Sequence, residues 1–157
     1  MPKFNVKRKY PYSAEQLYSV AADVANYNKF IPLVRGSRAW NREKGEDGTE
    51  AFKASLTIVY KRLNINETVN SDIVIDPNAM TVKATSADGI LKSLNSLWKV
   101  YELPEGGSEV EMDVDYTMNS KMMQVLVSSV FDLALRRIAN ALGERVEKIY
   151  GKQAATA

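Results

Sequence analysis

The 157-residue sequence contains no cysteine and no histidine. Without cysteine the chain cannot form disulfides, thiolate nucleophiles or sulfur-ligated metal sites. Without histidine it lacks the commonest metal ligand and the commonest general acid–base group. The sequence also shows no phosphate-cradling glycine loop and no residue spacing typical of a metal site. We therefore predict no catalytic residue, no metal site and no covalent cofactor, and we expect a protein that is not an enzyme.

A strong net charge and long apolar runs are also missing. The 21 basic and 19 acidic residues give a net charge of only +2, which favours no DNA partner. The first residues, Met1 to Val6, contain no apolar signal core. No uninterrupted apolar run approaches the roughly 18 residues that a membrane-spanning helix needs. We expect a cytoplasmic protein, with a peripheral position at the inner membrane face as a variant of that expectation.

The longest regular pattern lies at the end of the chain, where Asn119 to Tyr150 predict one long helix. Asn119 or Ser120 can cap its start, and Gly151 can terminate its last turn. Apolar side chains recur along it with helical periodicity and form a single stripe. The stripe consists of Val127, Phe131, Ala134, Leu135, Ile138, Leu142, Val146 and Ile149. Such a stripe needs another surface to cover it.

The first part of the chain predicts one strand and two short helices. Residues 3–10 alternate in character and carry several lysines, which is typical of an edge strand. Ser13 and Gln16 form a capping box for a helix that runs to Ala22. Asp23 can cap a second short helix, which ends before Pro32.

The middle of the chain predicts six strands joined by tight turns. Their ranges are 35–43, 50–60, 63–75, 79–86, 93–103 and 108–117. Short links of this kind favour antiparallel hairpins. The resulting fold class is α+β, with a curved antiparallel sheet of about seven strands wrapped around the last helix. We predict a single domain over residues 1–151 and a flexible tail over 152–157.

Alternation along three strands indicates which side chains face the helix. In 50–60 the even positions from Phe52 to Tyr60 are apolar, and in 108–117 Val114 and Tyr116 belong to an apolar set that alternates with acids. In 63–75 the inward set contains one carboxylate, Glu67, among apolar neighbours. Strand 93–103 is apolar on both faces, so its register stays open.

Several motifs resemble the coenzyme Q-binding proteins of the START-like lipid-transfer and polyketide-cyclase superfamily. They are the segment Val24 to Pro32, the dipeptide Asp88-Gly89, the segment Leu94 to Trp98, and the end of the last helix with Arg145 and Tyr150. The similarity covers nearly the whole chain. It departs at Asn28, at Leu33-Val34 and at Ser96, where the family usually has proline, tryptophan-cysteine and glycine.

The resemblance implies the helix-grip fold, with a cavity between the sheet and the C-terminal helix. The same apolar faces can equally be read as packed core. The predicted ligand is ubiquinone or a similar isoprenoid lipid, bound non-covalently. The predicted cavity lining is Phe52, Leu56, Ile58, Tyr60, Ile65, Glu67, Trp98, Val114, Tyr116, Val127, Phe131, Leu135 and Ile138, and the predicted mouth is Tyr27, Phe30 and Pro32.

The polar anchors for a ligand head group are predicted to be Tyr60, Tyr116, Glu67 and Asn95. Glu67 has a second interpretation, in which it reaches solvent or pairs with Arg62 or Arg145. Arg145 itself is expected to play a structural role.

The leading hypothesis for function is a carrier or chaperone that supports respiratory electron transport by delivering the quinone to respiratory or biosynthetic proteins. It includes a transient contact with a membrane surface or with those proteins. The alternative is a ribosome-acting protein, because a bacterial toxin that inhibits association of ribosomal subunits belongs to the same branch of the superfamily. A polyketide aromatase or cyclase is the third hypothesis.

Overall fold

We describe residues 3–151 from a computed structural model. The elements in chain order are β1 (Lys3–Tyr10), α1 (Ala14–Ala21), a 3₁₀ helix (Val24–Lys29), β2 (Val34–Lys44), β3 (Glu50–Tyr60), a 3₁₀ turn (Lys61–Leu63), β4 (Ile65–Asp76), β5 (Thr81–Ser86), β6 (Leu91–Glu102), β7 (Ser108–Met118) and α2 (Lys121–Tyr150). The predicted tail, 152–157, lies outside the described residues.

All seven strands form one antiparallel sheet in the order β1-β7-β6-β5-β4-β3-β2. Strands β2 to β7 follow each other as a meander, and β1 joins the outer side of β7. The predicted edge position of β1 is therefore confirmed. So is the α+β arrangement of a curved sheet around a long C-terminal helix, with two short helices after the first strand.

Two predicted strands begin later than expected because the chain turns first. The strand predicted from residue 63 begins at Ile65, since Lys61–Leu63 form a 3₁₀ turn that ends on Asn64 in the left-handed conformation. The strand predicted from residue 79 begins at Thr81, because the Asp76 carboxylate accepts hydrogen bonds from the backbone N–H groups of Asn78 and Ala79. Asp76 thus extends the turn by two residues.

The capping box of α1 is confirmed: the Gln16 backbone N–H donates to Ser13 Oγ, and the Ser13 N–H donates to Gln16 Oε1. The second short helix is present as a 3₁₀ helix, but the predicted cap by Asp23 is wrong. The Asp23 carboxylate instead accepts from the Asn26 side-chain amide at 2.7 Å. The carboxylate is thus bonded to a side chain three residues further along instead of to a backbone N–H of the helix.

The two halves of α2 are packed differently. Fully buried side chains occur only from Leu135 onward: Leu135, Ala139, Ala141, Leu142 and Val146. This half is tied to the first strand, because the Tyr10 hydroxyl donates to the Ala139 carbonyl at 2.5 Å, and to α1, because the Tyr150 hydroxyl bonds Ser19 Oγ. In the first half, from Lys121 to Ala134, every side chain is partly or fully exposed. Close packing beneath the helix is therefore confined to its second half and is continuous from Ala139 onward.

The ends of α2 agree with the sequence except at one residue. Ser120 caps the start by accepting from the Met123 N–H at 3.3 Å, and Gly151 follows the last turn with a φ of 83°. Ile149 was predicted on the buried stripe, but its side chain is 48% exposed. The last turn is held instead through Tyr150, whose hydroxyl bonds Ser19 Oγ, and through the Gly151 carbonyl, which accepts from Tyr12.

Neither of the two α-helices within residues 3–151 combines the length and the apolar character that crossing a bilayer requires.

Candidate functional site

A cavity of about 310 Å³ lies between the concave face of the sheet and the middle of α2, residues 127–138. Its walls are almost entirely apolar, because the inward positions of β3 to β7 carry mainly aliphatic and aromatic side chains. The lining residues are Val24, Tyr27, Ile31, Pro32, Leu33, Val34, Ala54, Leu56, Ile58, Tyr60, Ile65, Glu67, Val69, Ser71, Ile73, Val82, Ala84, Ile90, Leu91, Leu94, Ser96, Trp98, Val114, Tyr116, Met118, Val127, Val130, Phe131, Ala134, Leu135 and Ile138.

All but one of the residues predicted to line the cavity lie along its walls in the structure. They are Leu56, Ile58, Tyr60, Ile65, Glu67, Trp98, Val114, Tyr116, Val127, Phe131, Leu135 and Ile138. The exception is Phe52, which is 3% exposed and lies outside the lining set. The Arg42 guanidinium sits 4.4 Å from the centroid of its ring. Phe52 therefore fills the end of the sheet nearest the β2–β3 turn. Whether the remaining residues contact a ligand stays a prediction.

Two of the three residues predicted at the mouth, Tyr27 and Pro32, border the cavity, whereas Phe30 does not. The Phe30 ring packs edge-on against Tyr27 with centroids 5.6 Å apart, and the Arg145 guanidinium lies 5.8 Å from it. Arg145 thus packs against the residue that ends the 3₁₀ helix, which is a structural role of the kind expected for it.

Tyr27 forms a fixed part of the cavity wall. Its ring stacks on Trp98 with centroids 5.8 Å apart, and its hydroxyl donates to the Ala21 carbonyl. Burial raises the pKa of the Tyr27 phenol, and the nearby Asp23 adds to the rise. The hydroxyl is already used within the protein and is not free for a ligand.

The structure places the four side chains predicted as polar anchors in three different environments. The Tyr116 hydroxyl bonds Ser128 Oγ at 2.9 Å, and burial raises the pKa of this phenol. Asn95 is wrong as an anchor, because it lies on the outer face and donates to Asp115 Oδ1 at 3.1 Å. Tyr60 and Glu67 remain at the cavity wall.

Glu67 does not make the ion pair that the sequence allowed. Within residues 3–151 neither Arg62 nor Arg145 forms a salt bridge with its carboxylate. Arg62 is exposed on the turn after β3, while Arg145 lies against Phe30. The half-buried carboxylate therefore faces the cavity alongside Ile65 and Val69.

The sequence reading missed two hydroxyls and a side recess. Ser71 and Ser96 line the cavity, and their inward positions follow from the same alternation that places Ile73 and Trp98. A recess of about 60 Å³ adjoins the cavity at Tyr60 and is bordered by Leu133 and Arg137. Both helix residues lie opposite the predicted apolar stripe, so no periodicity signal pointed to them.

The outer side of the first half of α2 exposes several large apolar side chains. The exposed fractions are 73% for Met122, 70% for Val125, 38% for Leu126 and 54% for Leu133. We call these four residues the outer helix face. Lys121, Arg136 and Arg137 lie exposed on the same helix, with Asp132 as the acid among them. An apolar patch bordered by cations is typical of an interaction surface.

No group of three or more carboxylates within the described chain is arranged to hold a metal ion.

Comparison with known proteins places residues 10–142 in a model of the family described as polyketide cyclase / dehydrase and lipid transport. The ribosome association toxin RatA of Vibrio cholerae is 25% identical, over 90% of this chain and 92% of the toxin. The mitochondrial coenzyme Q-binding protein of Schizosaccharomyces pombe is 31% identical, over 76% of this chain and 71% of that protein. The solution structure of an 18 kDa protein from Caulobacter crescentus matches with a TM-score of 0.81 at 21% identity, over 97% of this chain and all (100%) of that one.

Proposed function

Because the chain belongs to the polyketide cyclase / dehydrase and lipid transport family, we propose that it binds ubiquinone or a related isoprenoid quinone without catalysis. The observation that carries the proposal is the apolar cavity of about 310 Å³. This volume falls at the lower end of the range of about 300–1,000 Å³ found for small-molecule sites. Each buried methylene of a ligand tail contributes about 0.8 kcal/mol to binding. The cavity can thus hold a ring with a short tail.

The two tryptophans allow a direct test of this binding. Trp98 lines the cavity, whereas Trp40 lies on β2 outside it, with the Arg38 guanidinium 5.2 Å from its ring. In the variant Trp40→Phe, titration with decylubiquinone should quench the fluorescence of Trp98 saturably. In the matched control Trp98→Phe, the fluorescence of Trp40 should change little. Absence of saturable quenching, together with no quinone in lipid extracts of the purified protein, would overturn the proposal.

The outer helix face supports a second element of the proposal, a transient contact with an anionic membrane. Its apolar side chains can enter the lipid interface while Lys121, Arg136 and Arg137 meet the head groups. This face adjoins the recess beside Tyr60, because Leu133 belongs to the face and also borders the recess, next to Arg137. A quinone can then pass from the bilayer to the cavity with little exposure to water. The protein would act as a carrier at the inner membrane face that supports respiratory electron transport.

Vesicle flotation tests this contact. The double variant Val125→Ser/Leu133→Ser should bind vesicles of phosphatidylglycerol and phosphatidylcholine at least about tenfold more weakly. The reason is the loss of two exposed aliphatic side chains that would be partly buried in the lipid interface. The control Leu97→Ser removes a side chain that is 40% exposed on the outer face of β6 and should bind as the parent does. Equal binding by both variants would exclude the outer helix face.

A second candidate function is interaction with the ribosome. The observation that favours it is the match to the ribosome association toxin, which extends over 92% of that protein. Co-sedimentation of the purified protein with separated ribosomal subunits tests it. Saturable association with one subunit would support this candidate, whereas recovery of the protein only in the supernatant would exclude it.

A further inference from the structure

Glu67 is the one charged residue among those that line the cavity, and it forms no ion pair within residues 3–151. On β4 it lies between Ile65 and Val69, two residues away on either side, and it is paired across the sheet with Ile58. All three neighbours line the same cavity. The charged neighbours on the turn before β4, Lys61 and Arg62, are exposed and make no ion pair with Glu67. A half-buried carboxylate in this setting gains most from a ligand that donates a hydrogen bond.

Tyr60, on the neighbouring strand β3, is a second polar side chain of the same wall. It is paired with Ile65, so on the concave face it is the diagonal neighbour of Glu67 across β3 and β4. Tyr60 borders both the cavity and the recess. Ser71, the wall hydroxyl on β4 itself, is four residues further along the strand, about 13 Å from Glu67 at the usual rise per strand residue. Tyr60 and Glu67 therefore form one polar corner at the recess end of the cavity.

The two side chains of this corner differ in what they can bind. A phenol donates and accepts, so Tyr60 can serve a carbonyl or a hydroxyl of the ligand equally. A carboxylate only accepts, so Glu67 can bind a ligand hydroxyl but repels the lone pairs of a carbonyl oxygen. The oxidised quinone ring offers carbonyl acceptors only, whereas the reduced ring offers two hydroxyl donors. Of the two side chains, only Glu67 can therefore distinguish the reduced quinone from the oxidised one.

We propose that Glu67 makes the cavity selective for the reduced, hydroxyl-bearing form of a quinone, with the ring at the Tyr60–Glu67 corner and the tail among the apolar side chains. This inference rests on the proposed quinone-binding function and specifies which redox form is held. The protein would then carry the reduced quinone, with its hydroxyl groups shielded from solvent inside the cavity.

The test compares decylubiquinol with decylubiquinone by anaerobic isothermal titration calorimetry. The parent protein should bind decylubiquinol at least about tenfold more tightly, as expected for one hydrogen bond to a charged acceptor. In Glu67→Gln the ratio of the two dissociation constants should fall to within about twofold, since an amide can donate to a carbonyl as well as accept from a hydroxyl. The control Glu109→Gln changes a carboxylate on the outer face of β7 and should keep the parent ratio.

The outcomes separate this inference from the proposed function. Equal affinity for both forms in the parent, or a ratio that Glu67→Gln leaves unchanged, would overturn the selectivity while leaving quinone binding intact. Binding of neither form would overturn both. Circular dichroism melting of each variant shows whether the protein titrated is folded.

Discussion

At the residue scale, Tyr27 shows how a motif that resembles a ligand site can serve the fold first. Its ring closes one end of the cavity against Trp98, and its hydroxyl is bonded to the Ala21 carbonyl. Burial raises the pKa of this phenol above its usual value of 10.0. The native state therefore holds the Tyr27 proton more tightly than the unfolded chain does.

This linkage predicts a loss of stability in alkali. Above pH 10 the unfolded state releases the Tyr27 proton while the native state keeps it, so the free energy of unfolding falls as the pH rises. In Tyr27→Phe the fall should be shallower by as much as about 1.4 kcal/mol per pH unit. Urea unfolding between pH 7 and pH 11 measures both slopes. The value at pH 7 reports the separate cost of losing the hydrogen bond, and identical slopes in parent and variant would contradict the prediction.

At the scale of elements, α2 combines two surfaces that a single apolar stripe could not distinguish. Its C-terminal part is packed against β1 and α1, whereas its middle, residues 127–138, borders the cavity. The close packing of the second half depends on Gly143. A Cβ at this position would lie 2.8 Å from Cε1 and 3.2 Å from Cδ1 of the Tyr10 ring.

The contact at Gly143 predicts that Gly143→Ala destabilises the protein despite the better helix propensity of alanine. The Tyr10 ring is 8% exposed and its hydroxyl is bonded to Ala139, so it cannot move aside freely. We expect overpacking of about 1–3 kcal/mol to exceed the propensity gain of about 1 kcal/mol. Thermal unfolding should show a lower Tm.

The exposed position Ser129 on the same helix is the control for this change. Ser129→Ala should leave the Tm unchanged or raise it slightly, because alanine is the better helix former. A higher Tm in Gly143→Ala would mean that the helix and β1 are not in the close contact described.

At the scale of the whole molecule, the decisive question is whether the space inside the sheet is filled or hollow. Ala84 on β5 lines the cavity, while Ala139 on α2 is fully buried (0% exposed) in the packed core. The two alanines therefore allow the same substitution to be made in both environments.

The hollow interior predicts opposite effects of a larger side chain at these two sites. Ala84→Leu should raise the free energy of unfolding by about 0.5–2 kcal/mol, because it fills empty space. Ala139→Leu should lower it by about 1–3 kcal/mol, because no space is available. Urea unfolding measures both. Ala84→Leu should also weaken decylubiquinone binding, and a destabilised Ala84→Leu would indicate a filled interior.

Much of the fold follows from local patterns. Strand β3 has the bounds that its alternation predicted, 50–60, because every even position from Phe52 to Tyr60 is apolar. The box of Ser13 and Gln16 was found from side-chain chemistry alone, whereas the cap of α2 was narrowed to Asn119 or Ser120 and the structure shows it to be Ser120. The predicted cap by Asp23 was wrong because its carboxylate can accept either from a backbone N–H of the helix or from the Asn26 side-chain amide. The sequence does not say which of these two bonds forms.

The sequence by itself determined the order of the strands and the main helices, the inward face of β3, β4 and β7, and the lack of cysteine and histidine chemistry, since these depend on residue type and spacing. Only the tertiary structure decided that Phe52 and Leu56, on one face of one strand, lie in packed core and at the cavity wall respectively. Likewise, only the tertiary structure decided that Glu67 forms no ion pair within the described residues and that Arg145 lies against Phe30. Period two assigns a side chain to a face, but the distance from that face to the helix depends on the curvature of the whole sheet.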